Sequence, residues 1–126
     1  MNYWTIKVFS REGKTRITDK WLESLPLGAQ IEINIRLRYL QAIKLWGRPY
    51  SAKLKGFPHI HEIIIKWKGN QYRPLGFFGR NKGEFTLLVG SVEKDSNFEP
   101  KNAPAIAEDR IKLVLGDEKY AIKYFK

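Results

Sequence analysis

The chain has 126 residues, 43% of them hydrophobic, no cysteine and a formal net charge of +10. That length suits one domain, residues 1–126, around a single modest core, and the lack of cysteine excludes disulfides, thiol nucleophiles and cysteine-based zinc sites. No run approaches the ~18 apolar residues of a membrane-spanning helix, and the first residues lack the apolar run of a signal peptide, so a cytoplasmic protein with no membrane association is expected.

In chain order, Tyr3 to Ser10 reads as a strand, with Trp4, Ile6 and Val8 alternating against Thr5 and Lys7. Thr18 or Asp19 is placed to cap a short helix carrying Trp21, Leu22 and Leu25, which Pro26 and Gly28 interrupt. The next segment fits two periods. Ile31, Ile33, Ile35, Leu37 and Tyr39 alternate as in a strand, while Ile31, Ile35, Tyr39, Ala42, Ile43 and Trp46 form a helical stripe. Ala29 to Trp46 holds no glycine or proline, and its length favours a helix, since strands average only ~5–6 residues.

Ile60 to Lys68, Gln71 to Phe78 and Glu84 to Val92 then read as three strands joined by glycine-containing turns, an antiparallel meander. Pro74 marks an edge position or a bulge in the second. Asn102 is placed to cap a last helix with Pro104 in its first turn and an apolar stripe of Ala103, Ala107, Ile111, Val114 and Leu115. The tail from Asp117 either adds a short strand or is irregular. The expected architecture is α+β: an N-terminal strand, two helices, an antiparallel β-meander and a C-terminal helix.

Charge is unevenly spread. Arg36 to Lys82 holds 11 basic residues and one acid, Glu62, so this stretch alone supplies the excess of 23 basic over 13 acidic residues. Tyr39, Trp46, Tyr50, Phe57, Trp67, Tyr72, Phe77 and Phe78 run through it. Positive charge with interleaved rings points to a polyanion, RNA or DNA, as partner. The competing reading is that the cations merely solvate a sheet face and that most rings are core; basic chains also often bind acidic proteins.

Several local motifs share an order with a known family. These are Ala52-Lys53-Leu54-Lys55-Gly56, His61-Glu62-Ile63-Ile64-Ile65, Tyr72-Arg73-Pro74-Leu75, the strand Phe85 to Val92, and Glu93-Lys94-Asp95. With the element order, they resemble the RelE/HigB/ParE toxins of type II toxin–antitoxin systems, particularly the phage-derived HigB-like branch, over roughly residues 20 to 115. The resemblance implies a RelE-like fold and a ribosome-dependent mRNA endoribonuclease working without metal or cofactor. It also implies a cognate antitoxin, often of helix-turn-helix type, with ribosome and mRNA as the other partners. Arg73 matches the family's arginine at the scissile phosphate, Lys94 a family lysine or arginine, and Lys53 and Lys55 the basic loop. Three positions depart from the pattern. Ile64 stands where a basic residue is usual, Glu93 replaces the first of a basic pair, and no tyrosine or histidine opens the final helix. A non-catalytic relative that binds RNA, ribosome or antitoxin, or a ParE-like gyrase inhibitor, are the alternatives.

Metal-free RNA cleavage needs the 2′-hydroxyl deprotonated, charge on the phosphate stabilised and the leaving 5′-oxygen protonated. Arginine suits the second task, because its fork meets phosphate oxygens, so Arg73 and Lys94 are expected to converge on one phosphate. Base and acid must come from His59, His61, Glu62, Lys66 and Glu93, with His61 and Glu62 preferred. Against this, the simplest role of Glu62 is a salt bridge to Lys66, Arg73 or Arg80, and the simplest role of His59 and His61 is solvent contact. Arg48, Lys53, Lys55, Lys66, Lys68, Tyr72, Arg80 and Lys82 are the expected RNA-binding residues. No third ligand accompanies His59 and His61, so no metal site is expected.

Overall fold

The computed structural model describes residues 2–13 and 15–125. Among them are three α-helices and ten strands in two sheets, a mixed α+β architecture richer in strands than the sequence predicts. The N-terminal strand β1 (Thr5–Phe9) leads to α1 (Thr18–Glu23) and α2 (Leu27–Gln41). Next come β2 (Ser51–Lys53), β3 (His61–Ile63), β4 (Ile65–Trp67), β5 (Asn70–Tyr72), β6 (Leu75–Phe78), β7 (Glu84–Val89), β8 (Val92–Lys94) and β9 (Asn97–Glu99). Helix α3 (Ala103–Gly116), a 3-10 turn (Glu118–Tyr120) and β10 (Ala121–Lys123) complete the chain.

A six-stranded sheet runs β10-β1-β7-β6-β3-β2 and a four-stranded sheet runs β4-β5-β8-β9. Among the described residues only β1 and β7 pair in parallel, Ile6 opposite Phe85 and Val8 opposite Leu87. The three meander strands are present, but each breaks once, at Ile64, at Arg73-Pro74 and at Gly90-Ser91; the first and third pass from the large sheet to the small one, and the second from the small sheet to the large one. The breaks at Pro74 and Gly90 have local causes, and the one at Ile64 is held by Arg36 and Tyr50 from elsewhere in the chain. Pro74 has no amide to continue a ladder, and its carbonyl accepts from the Ile63 amide at 3.0 Å. Gly90 lies directly under the Trp21 ring, where an added Cβ would sit 2.0 Å from Cδ2. The Arg73 amide donates to the Ser91 carbonyl at 2.8 Å, and the Ser91 hydroxyl donates to the Arg73 carbonyl, which ties two of the breaks together.

Apolar side chains fill both sides of the six-stranded sheet. On one side Ala29, Ile33, Leu37 and Leu40 of α2 pack on Ile6, Val8, Ile63, Phe85 and Leu87. On the other, Ala103, Ala107, Ile111 and Val114 of α3 pack on Phe9, Leu75, Phe77 and Leu88. Burying such faces is the main stabilising term, at about 25 cal/mol per Å².

The second helix departs from its expected limits. It starts at Leu27 with Pro26 at its N-cap, so Pro26 and Gly28 open the helix rather than interrupting a preceding one. It ends at Gln41, short of Trp46, whose indole turns back to donate to the Leu40 carbonyl at 2.7 Å. The helical stripe of Ile31, Ile35 and Tyr39 is the outer one, half or more exposed at both isoleucines. Neither Thr18, Asp19 nor Asn102 makes a side-chain cap. In the tail, β10 pairs with β1, Val8 opposite Ile122, so the strand reading of residues 117–126 holds for that part.

No helix among the described residues is long and apolar enough to cross a membrane.

Candidate functional site

Arg73 occupies the break between β5 and β6, where the two sheets meet. Strand alternation and register decide what it faces. In the small sheet Lys66 pairs with Gln71, Gln71 with Glu93 and Glu93 with Phe98, so these side chains share one face. In the large sheet Glu62 pairs with Leu75, two residues beyond Arg73. The result is an arginine between two carboxylates. Nη1 lies 2.6 Å from Oε1 of Glu62, Nη2 lies 2.8 Å from Oε2 of Glu93, and Nη2 also donates to Oε1 of Gln71. Nε of Arg73 is enclosed without a partner.

Glu62 is the buried member of the row, its side chain 8% exposed against 30% for Glu93. Burial pushes the Glu62 carboxyl above its ordinary range, and Arg73 and Arg48 offset this only in part. A carboxyl so placed holds a proton more readily than a free one. Lys66 stands exposed beside the row.

The remaining predicted residues divide by face. His61 neighbours Glu62 on an extended strand and therefore projects to the opposite side, where it is paired with Gly76 and stands edge-on to Phe78 at 4.9 Å. The structure thus separates His61 from the Arg73 row. It also joins Glu93, not Lys94, to Arg73. Lys94 follows Glu93 on β8, faces the other way opposite Asn97, and is exposed. The expected convergence of Arg73 and Lys94 on one phosphate is not present. Tyr72, expected at the RNA surface, is 3% exposed and packs in the core with Ile65 and Leu37, because its strand position faces α2. Phe77 is likewise buried, and Trp67 is half-buried against Gly28.

The expected RNA-binding cations are at the surface: Arg48 before β2, Lys53 and Lys55 at and after its end, Lys66 on β4, Lys68 in the β4–β5 turn, and Arg80 and Lys82 between β6 and β7. Arg80 comes within 4.0 Å of Glu118, and Lys68 lies 4.9 Å from the Trp67 ring. Ile64 is buried, its amide bound to the Tyr50 carbonyl at 2.8 Å and its carbonyl taken by Arg36 at 3.0 Å.

Gln71 is the site residue that sequence reasoning passed over. Its position two residues before Arg73, on the same strand face, was the signal that could have found it. Among the described residues no three histidines or carboxylates gather as a metal site would require. No protein-family model, curated protein or solved structure matches this chain.

Proposed function

We propose that this protein is a RelE/HigB-like toxin of a type II toxin–antitoxin system, a cytoplasmic endoribonuclease that cuts mRNA on the ribosome and is held in check by a cognate antitoxin. What supports the reading is the motif resemblance together with the observed order of strand, two helices, meander and helix. The observation that carries the chemistry is the row Glu62–Arg73–Glu93, set among exposed cations at the junction of the sheets.

On this reading a substrate phosphate enters at Nη2 of Arg73 in place of Glu93, and the guanidinium stabilises the charge that builds on the non-bridging oxygens. The released Glu93 carboxylate accepts the proton of the 2′-hydroxyl, whose oxygen attacks phosphorus. The bond to the 5′-oxygen breaks, and that leaving oxygen takes the proton from the Glu93 carboxyl, while Glu62 holds Nη1 of Arg73 in place. The products are a 2′,3′-cyclic phosphate and a 5′-hydroxyl.

One observation favours the non-catalytic alternative. Both terminal nitrogens of Arg73 already hold carboxylates, so a phosphate must displace one of them to bind. Primer extension on mRNA in a reconstituted translation reaction separates the two. Cuts inside A-site codons, lost in Glu62→Gln and Arg73→Lys, support the endoribonuclease. A folded wild type that binds RNA and leaves every message intact points to the binding-only relative.

A further inference from the structure

His59 and His61 belong to a different place from the Arg73 row. A groove of about 380 Å³ runs between the end of the large sheet and the last turns of α3. Its walls are His61, Phe77 and Phe78 on the sheet side, Ile111 and Leu115 on the helix side, and Pro58-His59 across one end. Pro58 also borders an adjoining groove lined by Lys53, Leu54 and Lys55. A slot lined by rings and aliphatic carbons thus continues into a channel flanked by two ammonium groups.

The slot carries more polar capacity than a packing defect would. Nδ1 of His61 is enclosed without a hydrogen-bond partner, so polar contact from this ring falls to Nε2. Burial, with Lys53 nearby, holds the His61 imidazole below its ordinary titration range, so the ring is neutral at pH 7 and can offer one donor or acceptor to a neutral ligand. His59 supplies a second ring from the exposed loop.

We propose that this groove is a nucleobase-binding subsite, in which an unstacked base of single-stranded RNA lies against His61 and Phe78, under Leu115, while its phosphate follows Lys53 and Lys55. The proposal rests on the RNA reading given above and adds to it a place where base identity is read. The occupant follows from the chemistry of the walls. Flat apolar faces with a neutral ring nitrogen suit a base, which has a π-face and a hydrogen-bonding edge, and the cationic channel suits the phosphate joined to it. The two ammonium groups of the adjoining groove, Lys53 and Lys55, draw the backbone out of the slot on that side.

The test is fluorescence anisotropy with a labelled eight-nucleotide RNA and the same RNA carrying abasic sites at its central positions. The wild type is expected to bind the intact RNA roughly tenfold more tightly, since stacking one base on a ring contributes on that order. Two variants should remove this preference while leaving affinity for the abasic RNA unchanged. One is His59→Ala with His61→Ala. The other is Leu115→Trp, which fills the slot from an exposed position and leaves the core alone. A preference that survives in both variants, or equal wild-type affinity for the two RNAs, overturns the subsite while RNA binding stands. Absence of salt-dependent binding to either RNA overturns the RNA reading, and the subsite with it.

Discussion

Glu62 and Arg73 meet at 2.6 Å across the junction of two sheets, with side chains only 8% and 12% exposed. An ion pair this far from water is a poor source of stability but a sensitive point of failure. Desolvation offsets most of the attraction when both partners are present, and removing one leaves a charge with no compensation. Arg73→Ala is therefore expected to cost about 3–5 kcal/mol of folding stability. Replacing both residues with methionine should cost markedly less than the single change. Urea denaturation of the wild type, the two single variants and the double variant measures this. Equal losses in Arg73→Ala and the double variant would show that the pair is not the reason for the loss. The same result decides how activity data are read, because an inactive Arg73→Ala protein can be an unfolded one.

Burial raises the Glu62 carboxyl above the ordinary 4.5, so between 4.5 and the higher folded value the native state holds a proton that the unfolded state has released. Stability contributed at this position therefore falls as pH rises through that window, and the full penalty is present above it. Below 4.5 both states are protonated and the penalty vanishes. Glu62→Gln carries no such titration. Its stability relative to the wild type should improve as pH rises from about 4 to 7, read from urea midpoints. A wild-type advantage that grows with pH instead would mean that the attraction of Arg73 outweighs burial.

His61 shows the opposite sign. Burial, reinforced by Lys53 at the paired position of β2, lowers its titration below 6.5. The unfolded chain then takes up a proton that the native state refuses. Stability is unaffected above 6.5 and declines as pH falls below it. In an NMR titration the His61 ring should have its midpoint under 6.5, and Lys53→Gln should move that midpoint only part of the way back, since burial is the larger cause. A return to 6.5 in the variant would make Lys53 the whole cause.

Element types were legible where only one period fits the residues. The meander has β-rich apolar runs bounded by glycine turns, and α3 has one apolar stripe. Helix α2 was legible in kind but not in orientation. Its core residues Ala29, Ile33 and Leu37 and its exposed residues Ile31 and Ile35 lie on opposite sides of one helix. Two apolar faces in register also produce alternation, which is why a strand reading competed. The breaks in the meander were legible at Pro74 but not at Ile64, where nothing local marks a turn. That break is held by partners distant in sequence, Arg36 and Tyr50. At the candidate site, Arg73 and Glu62 could be read as an ion pair from their types alone. The placement of Glu93 rather than Lys94 depends on cross-strand register, which a single sequence does not specify.

The small sheet is seated on α2 by one close approach. The Trp67 indole lies over Gly28 near the helix start, so that a Cβ at residue 28 would fall 2.2 Å from Cζ2 and 2.7 Å from Cε2. In an open helix position Gly→Ala adds stability by ~1 kcal/mol, because glycine loses more backbone freedom on folding. Here the sign should reverse. The alanine methyl must displace the ring, and overpacking of this kind costs roughly 1–3 kcal/mol. Removing the obstacle should restore the ordinary sign, so Gly28→Ala is expected to destabilise the wild type and to be neutral or stabilising in a Trp67→Ala background. Thermal unfolding of the four proteins in this cycle measures both effects, and a stabilising Gly28→Ala in the wild type would show that Trp67 does not rest on the helix in solution. The cycle also bears on the basic surface. A Trp67 ring packed on Gly28 is committed to holding β4 in place, which leaves Lys66 and Lys68 on either side of it as the exposed groups of this surface.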